Sequence, residues 1–216
     1  PVHCVTPQSP GCIHRFYDSS PFSPSGRYMA LTRLPFQDRL PGPGDPAEVV
    51  CVDLETGEAR TVAETRGWDS QLGAQVQWGR DDRTLLFNDV DTRDWQPFGV
   101  RLDPLGDARH RLDGTVYAVA PDGRWSAGPC LRRTVRTQRG YGVEVLYELP
   151  AEVWEGDING ALNYAKVLPA DQLLVDDIDR SGGAGQHVGQ VVGRRLRQED
   201  RINVPVPQLE QPPHHQ

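Results

Sequence analysis

The stretch Ser23-Pro24-Ser25-Gly26-Arg27-Tyr28-Met29-Ala30-Leu31 decides how this chain reads. Pro24 presets its φ for the second position of a tight turn, and Ser25 offers an oxygen to its own backbone. Gly26 takes the left-handed position without steric cost, and an apolar run follows. That pattern is a turn between two strands. Two further stretches align with it, Gly79-Arg80-Asp81-Asp82-Arg83-Thr84-Leu85-Leu86-Phe87 and Ala120-Pro121-Asp122-Gly123-Arg124-Trp125-Ser126-Ala127. In the Gly79 to Phe87 stretch, Asp82 is expected to take the left-handed slot. Each turn follows a short β-prone run: Tyr17 to Phe22, Ala74 to Trp78, and Val116 to Val119.

A second signal alternates with the first. Val52-Asp53-Leu54-Glu55-Thr56-Gly57-Glu58 and Arg101-Leu102-Asp103-Pro104-Leu105-Gly106-Asp107 both read as strand, Asp-led turn with Gly, strand. The first turns begin at 23, 79 and 120, so they are 56 and 41 residues apart, and Asp53 and Asp103 are 50 apart. Two hairpins in a unit of that length make one four-stranded propeller blade. The competing reading is an unrelated β-sandwich, whose turns also recur. The expected fold is therefore all-β: a partial β-propeller of about three four-stranded blades with an irregular, partly helical C-terminal tail. Residues 1–11 form an N-terminal extension, and 12–145 the blades, at about 12–64, 65–111 and 112–145. Residues 146–216 are the tail. The Pro- and Gly-rich stretch 35–46 reads as a surface loop within blade one. With neighbours missing, blades one and three are each expected to expose an apolar face.

The blade pattern stops around Val143 to Tyr147. Glu155 to Leu168 and Ala170 to Asp179 have apolar residues at roughly helical spacing, with Asp157 as an N-cap and Pro169 as a stop. From Ser181 the chain turns Gly-, Gln- and Arg-rich, then Pro-rich, a composition that buries little. Two explanations stay open. One is a helical appendage over the edge of blade three, and the other is that residues after about 145 are not the native continuation.

Composition narrows the partners. The formal net charge is −7 and the pI about 5.3, which argues against nucleic acid or an anionic membrane. No apolar run approaches the ~20 residues of a membrane-spanning helix. The chain opens at Pro1 and its one methionine is Met29, so any signal peptide would lie upstream. Cys4, Cys12, Cys51 and Cys130 show no C-x-x-C spacing, which disfavours structural zinc. Cys51 and Cys130, each in a β run, are expected to be buried thiols. Cys4 and Cys12 could bridge in an oxidising compartment, and the compartment stays undecided.

The turns Ser23-Pro24-Ser25-Gly26-Arg27 and Ala120-Pro121-Asp122-Gly123-Arg124 resemble those of TolB-like propellers. The stretches His14 to Phe22 and Trp68 to Trp78 are similar to early blades of bacterial oligogalacturonate-lyase-like proteins. The resemblance covers residues 12 to about 145. It implies a seven-bladed propeller in which later blades hold a divalent metal, typically manganese, through histidines and a glutamine. A base there removes the proton α to a uronate carboxylate and β-elimination follows. No histidine cluster of that kind matches this chain, so no metal ligand and no catalytic base is carried over; manganese belongs to a full-length relative. The implied ligand is an acidic oligosaccharide, and the alternative is a non-catalytic propeller that serves as a protein-interaction scaffold.

In a propeller, polar groups at the ends of the innermost strands face any ligand. Blade one supplies His14, Arg15, Tyr17 and Asp18. Blade two supplies Asp69, Gln71, Gln75 and Gln77, and blade three, after its second strand, Arg132 and Arg133. Arg forks a carboxylate while Gln and Asp take hydroxyls. The plainer role of these residues is to hold neighbouring blades together. In the acidic run Asp89, Asp91 and Asp94, the first two on one strand face could bind a hard cation such as calcium, but the run reads better as a solvated loop between strands. Trp78, Trp95 and Phe98 read as packing between blades. No G-x-S-x-G elbow is present.

Overall fold

The computed structural model describes residues 2–120, 122–146 and 166–169. The chain divides into two units, 1–176 and 177–216, and the second lies outside the described residues.

Two antiparallel sheets follow one another. The first runs β1 (Cys12–Ile13), β2 (Tyr28–Arg33), β3 (Ala47–Asp53) and β4 (Ala59–Thr65), in that spatial order. The second repeats the plan with β5 (Gln77–Trp78), β6 (Leu85–Asp91), β7 (Gln96–Leu102) and β8 (Arg109–Arg111). A third begins with β9 (Ala118–Val119) and β10 (Trp125–Gly128).

The two turn signals make matching backbone closures. In the first hairpins, Ser23 N–H donates to Tyr28 C=O, Gly79 to Thr84, and Ala120 to Trp125, at 2.8, 2.7 and 2.9 Å. In the second hairpins, Asp53 donates to Glu58 and Asp103 to Ala108, at 2.9 and 2.8 Å. An oxygen of Ser25, Asp81 and Asp122 accepts from the N–H of Arg27, Arg83 and Arg124, two residues on. Gly26 and Gly123 are left-handed, with φ of +77° and +69°. Asp82 is not: its carboxylate instead reaches the first sheet, accepting from Ser25 N–H at 3.1 Å. Gly26 and Gly123 take positive φ without cost, whereas Asp82 has a Cβ that disfavours it.

The sheets stack face to face. Strands β3 and β6 are buried along nearly their whole length, because each has an apolar layer on both sides. Ala30, Val49 and Cys51 of the first sheet meet Leu85, Phe87, Val100 and Leu102 of the second. Behind β6, Leu86 packs on Leu112 and Val116, with Val119 beside them. Val62 is bulged out of the β3–β4 ladder, where Val49 pairs with Ala63 but Val50 with Thr61. Stacked antiparallel sheets in tandem are the architecture of a partial β-propeller.

A side chain nine residues beyond the start of each first turn ties one sheet to the next. Thr32 Oγ1 accepts Ala74 N–H at 3.0 Å. Asn88, at the same place in the second sheet, accepts Val116 N–H at 2.7 Å and donates to its C=O at 2.8 Å. The third sheet has Pro129 there.

Four expectations need correction. The innermost strands are two residues long, so residues 14–18 lie in bends and turns rather than on a strand. The run after β10 does not continue the blade: Leu131–Thr137 form helix α1, with Cys130 as its N-cap. The stretch Leu131-Arg132-Arg133-Thr134 has no turn residue to start a hairpin, and Gly142 lets the following chain return against the helix. A Cβ on Gly142 would fall 2.4 Å from Val135 N. Lys166–Pro169, whose first three residues were expected to end a helix, form strand β11. It pairs antiparallel with β10, Ser126 opposite Leu168. The third sheet thus has three strands among the described residues, in the order β11-β10-β9. The rest of the predicted helices lies outside the described residues. Finally, the outer face of the first sheet is not bare. Met29, Leu31, Val50 and Val52 are buried, and Val5, Cys12 and Leu54 pack against them.

The stretch 35–46 is a loop between β2 and β3, and it is anchored. Trp68 Nε1 donates to Asp45 C=O at 2.7 Å, Phe36 packs on the Trp68 ring, and Arg39 pairs with Asp45 at 2.6 Å. All four cysteines are free. Cys51 is buried, Cys12 and Cys130 are half-buried and Cys4 is exposed.

Candidate ligand-binding site

The inner ends of the three sheets meet through Arg15, Gln77 and Tyr117. The Arg15 guanidinium lies over the Tyr117 ring, 4.3 Å from its centroid, a cation–π contact. Gln77 Nε2 donates to Tyr117 C=O at 3.2 Å and stands within 3.3 Å of Gln75 C=O. Tyr117, just before β9, is thus in contact with Gln77 of β5 through its C=O and with Arg15, in the bend after β1, through its ring.

Arg15 is buried, 4% exposed at its side chain, and Asp18 pairs with it at a loose 3.4 Å. Its Nε has no partner among the described residues. Next to it Phe16 and Tyr17 stand out from the surface, 40% and 87% exposed, with ring centroids 4.5 Å apart. His14 is exposed.

Gln75 is a second irregular point. It is 2% exposed and its backbone is left-handed, with φ +57°, a conformation that costs a residue with a Cβ about 1 kcal/mol or more. Its Oε1 has no hydrogen-bond donor. A tight hairpin produces this geometry. Asp69 and Gly73 exchange both backbone hydrogen bonds, and Gln75 N–H then folds back to Leu72 C=O.

Asp69 organises that hairpin. Its Oδ1 accepts from Gln71 N–H at 2.9 Å and Leu72 N–H at 2.6 Å, and its Oδ2 from Gly142 N–H at 2.9 Å. Burial pushes its pKa up to about 6 although three N–H donors oppose the shift. Asp69 thus ties the second sheet to the chain behind α1. Gln71 is exposed at the hairpin tip.

Arg132 and Arg133 are on α1, each nearly buried. That helix adjoins the Asp69 hairpin through Gly142, which packs on Leu131 and Val135 and is Asp69's donor. The predicted residues therefore divide: Arg15, Gln75 and Gln77 are joined around Tyr117, while Asp69, Arg132 and Arg133 belong to the α1 junction. Sequence reasoning missed Tyr117 and Phe16. The Val116-Tyr117-Ala118 stretch reads as β-prone, and nothing local says its ring meets a residue a hundred positions earlier.

The acidic run is not wholly a solvated loop: Asp89 and Asp91 are on β6, Asp89 is buried, and both bind arginines. Asp89 pairs with Arg109 at 2.9 Å and Asp91 with Arg111 at 3.1 Å and Arg93 at 2.7 Å. Arg93, its own N–H and Arg111 hold the Asp91 carboxyl far below the usual range. Among the described residues no group of three or more His, Cys, Asp or Glu could hold a metal ion. Trp78 does pack between sheets, against Tyr28, and its Nε1 donates to Pro21 C=O. Trp95 packs with Val90, Leu131 and Val143.

No family model matches the chain, and no curated protein matches it. Among solved structures it is similar to the beta-propeller domain of the Trilobed protease from Pyrococcus furiosus, which has an open velcro topology. The identity is 14% and the TM-score 0.29, over 81% of this chain and 61% of that one. The chain thus spans less than two thirds of that propeller's length.

Proposed function

We propose that this partial propeller binds an acidic oligosaccharide at the inner ends of its sheets, with Arg15 as the group that receives the carboxylate. The observation that supports this is the state of Arg15. Its guanidinium is oriented on Tyr117, only loosely held by Asp18, and its buried Nε–H has no acceptor among the described residues. A ligand carboxylate can displace Asp18 and form a stronger, forked contact. The exposed rings of Phe16 and Tyr17 offer apolar faces on which a sugar ring can rest. The resemblance of the stretches His14 to Phe22 and Trp68 to Trp78 to oligogalacturonate-lyase-like proteins makes a galacturonate oligomer the ligand to try first.

Calorimetric titration with trigalacturonate and with a neutral galactose trimer tests the reading. Binding of the acidic oligomer alone, lowered at least tenfold by Arg15→Gln and raised by Asp18→Asn, is the expected result. Equal binding of the neutral trimer, or none of either, overturns it. Cleavage is followed separately, as a rise in ultraviolet absorbance from the unsaturated product when manganese is added. The second reading, a protein-interaction scaffold, is favoured by the exposed aromatic residues Trp125 and Phe22 at the two ends of the stack.

A further inference from the structure

Each end of the stack carries half of a contact that its middle completes. Tyr28, Thr84 and Trp125 hold equivalent places, five residues beyond the start of each first turn, and Phe22, Trp78 and Val119 immediately precede those turns. Between the first and second sheets Tyr28 meets Trp78, with ring centroids 6.4 Å apart and planes tilted by 34°. Trp78 is 9% exposed in that contact. At the ends of the stack, Trp125 and Phe22 are each 47% exposed.

Both are on the faces that a further sheet would meet. Ser126 pairs with Val119, which packs toward Leu86 of the second sheet, so the neighbouring Trp125 and Ala127 belong to the face turned away. Ala127 stands where the first sheet has Ala30, a small residue packed between sheets. Phe22 bridges Met29, a residue of the outer face of the first sheet, as Trp78 pairs with Leu85 on the face that receives the first sheet.

We propose that the chain associates head to tail with a second copy of itself, Trp125 of one copy stacking on Phe22 of the next as Tyr28 stacks on Trp78 within the chain. The interface is heterologous, because its two halves are different patches, so one copy can add to another repeatedly. Val5 and Cys12 already pack on the first sheet's outer face, which confines the contact to the turn ends and keeps it weak and concentration-dependent. Copies carrying a net charge of −7 repel one another, so added salt strengthens the association.

Sedimentation velocity across a concentration series, on the full chain, tests this. Trp125→Thr and Phe22→Val remove the two halves by introducing residues the chain itself has at those places, Thr84 and Val119. The expected result has three parts. The unsubstituted chain grows beyond a dimer as concentration and salt rise, and each variant alone is a monomer. A mixture of the two variants forms a dimer and nothing larger, because only one intact pair of patches remains. A folded chain that stays monomeric throughout, a variant that associates as well as the original, or a mixture that forms no dimer overturns the proposal.

Discussion

Arg27 donates to the Asp53 carboxylate at 2.8 Å, and Arg83 holds Asp103 in the same way at 2.7 Å. In both sheets an arginine at the end of the first turn grips the aspartate that leads the second. The pair joins the two hairpins of one sheet where they lie side by side. In the third sheet Arg124 turns back to Asp122, and β10 is followed by α1 rather than by a strand and a second Asp-led turn.

The aspartates matter more than the arginines. Asp103 also accepts Leu105 N–H at 2.9 Å, closing the turn, whereas the Arg83 side chain is largely in water, where an ion pair is worth little. Asp103→Ala is therefore expected to lower the urea midpoint clearly and Arg83→Ala hardly at all.

Asn88 is the strongest tie between sheets. It is fully buried and satisfies both backbone groups of Val116. Asn88→Ala leaves those groups unpaired, at a cost of about 3 kcal/mol or more. Thr32→Val, which forfeits only the bond to Ala74 N–H, costs about 1–2 kcal/mol. Chemical denaturation of the two variants gives the comparison, and equal losses would refute it.

Asp69 makes stability depend on pH in an unusual direction. Its pKa is raised from 3.8 to about 6, so between those values the folded chain holds a proton that the unfolded chain has lost. Stability contributed by this group is full below about pH 4 and falls as pH rises through 6, by on the order of 3 kcal/mol. Asp69→Asn is expected to abolish that slope. It also lowers stability overall, since an amide N–H would then face the Gly142 N–H. Denaturation midpoints of both forms from pH 4 to 7 decide the matter, and an unchanged slope would count against Asp69.

Gln75→Gly is expected to stabilise the fold by about 0.5–1 kcal/mol. It relieves a left-handed backbone and removes a buried oxygen without a donor. Thermal melts measure this, and a lower melting temperature would mean that the side chain's packing outweighs the strain.

The thiols should separate by burial. Burial pushes the Cys51 pKa up to about 11, so it stays a protonated thiol at pH 8, while Cys4 is exposed. A thiol-specific chromogenic reagent should therefore label Cys4 within the native chain and reach Cys51 only on unfolding.

The sheets were legible from the turns because a turn is a local event. Pro24, Ser25, Gly26 and Asp53 act on their own neighbours, so their sequence spacing reports the hairpins directly. What was not legible is decided across the chain. Nothing near Leu131 to Thr137 requires a helix. Its place depends on Asp69 far upstream, which accepts the N–H of Gly142. Arg15 was identifiable as a candidate by its type, but its orientation comes from Tyr117, a residue of another sheet. The partner of Asp82 was equally out of sight, since Ser25 belongs to the first sheet.

Pro129 closes the series that Thr32 and Asn88 begin. Its ring can neither offer a proton to a neighbouring strand nor take one, so a sheet laid against the third would be held by shape and oily contact, with no latch to set its height. Such a joint can slip and part while those before it stay shut. A joint made there would open before the two that Thr32 and Asn88 hold.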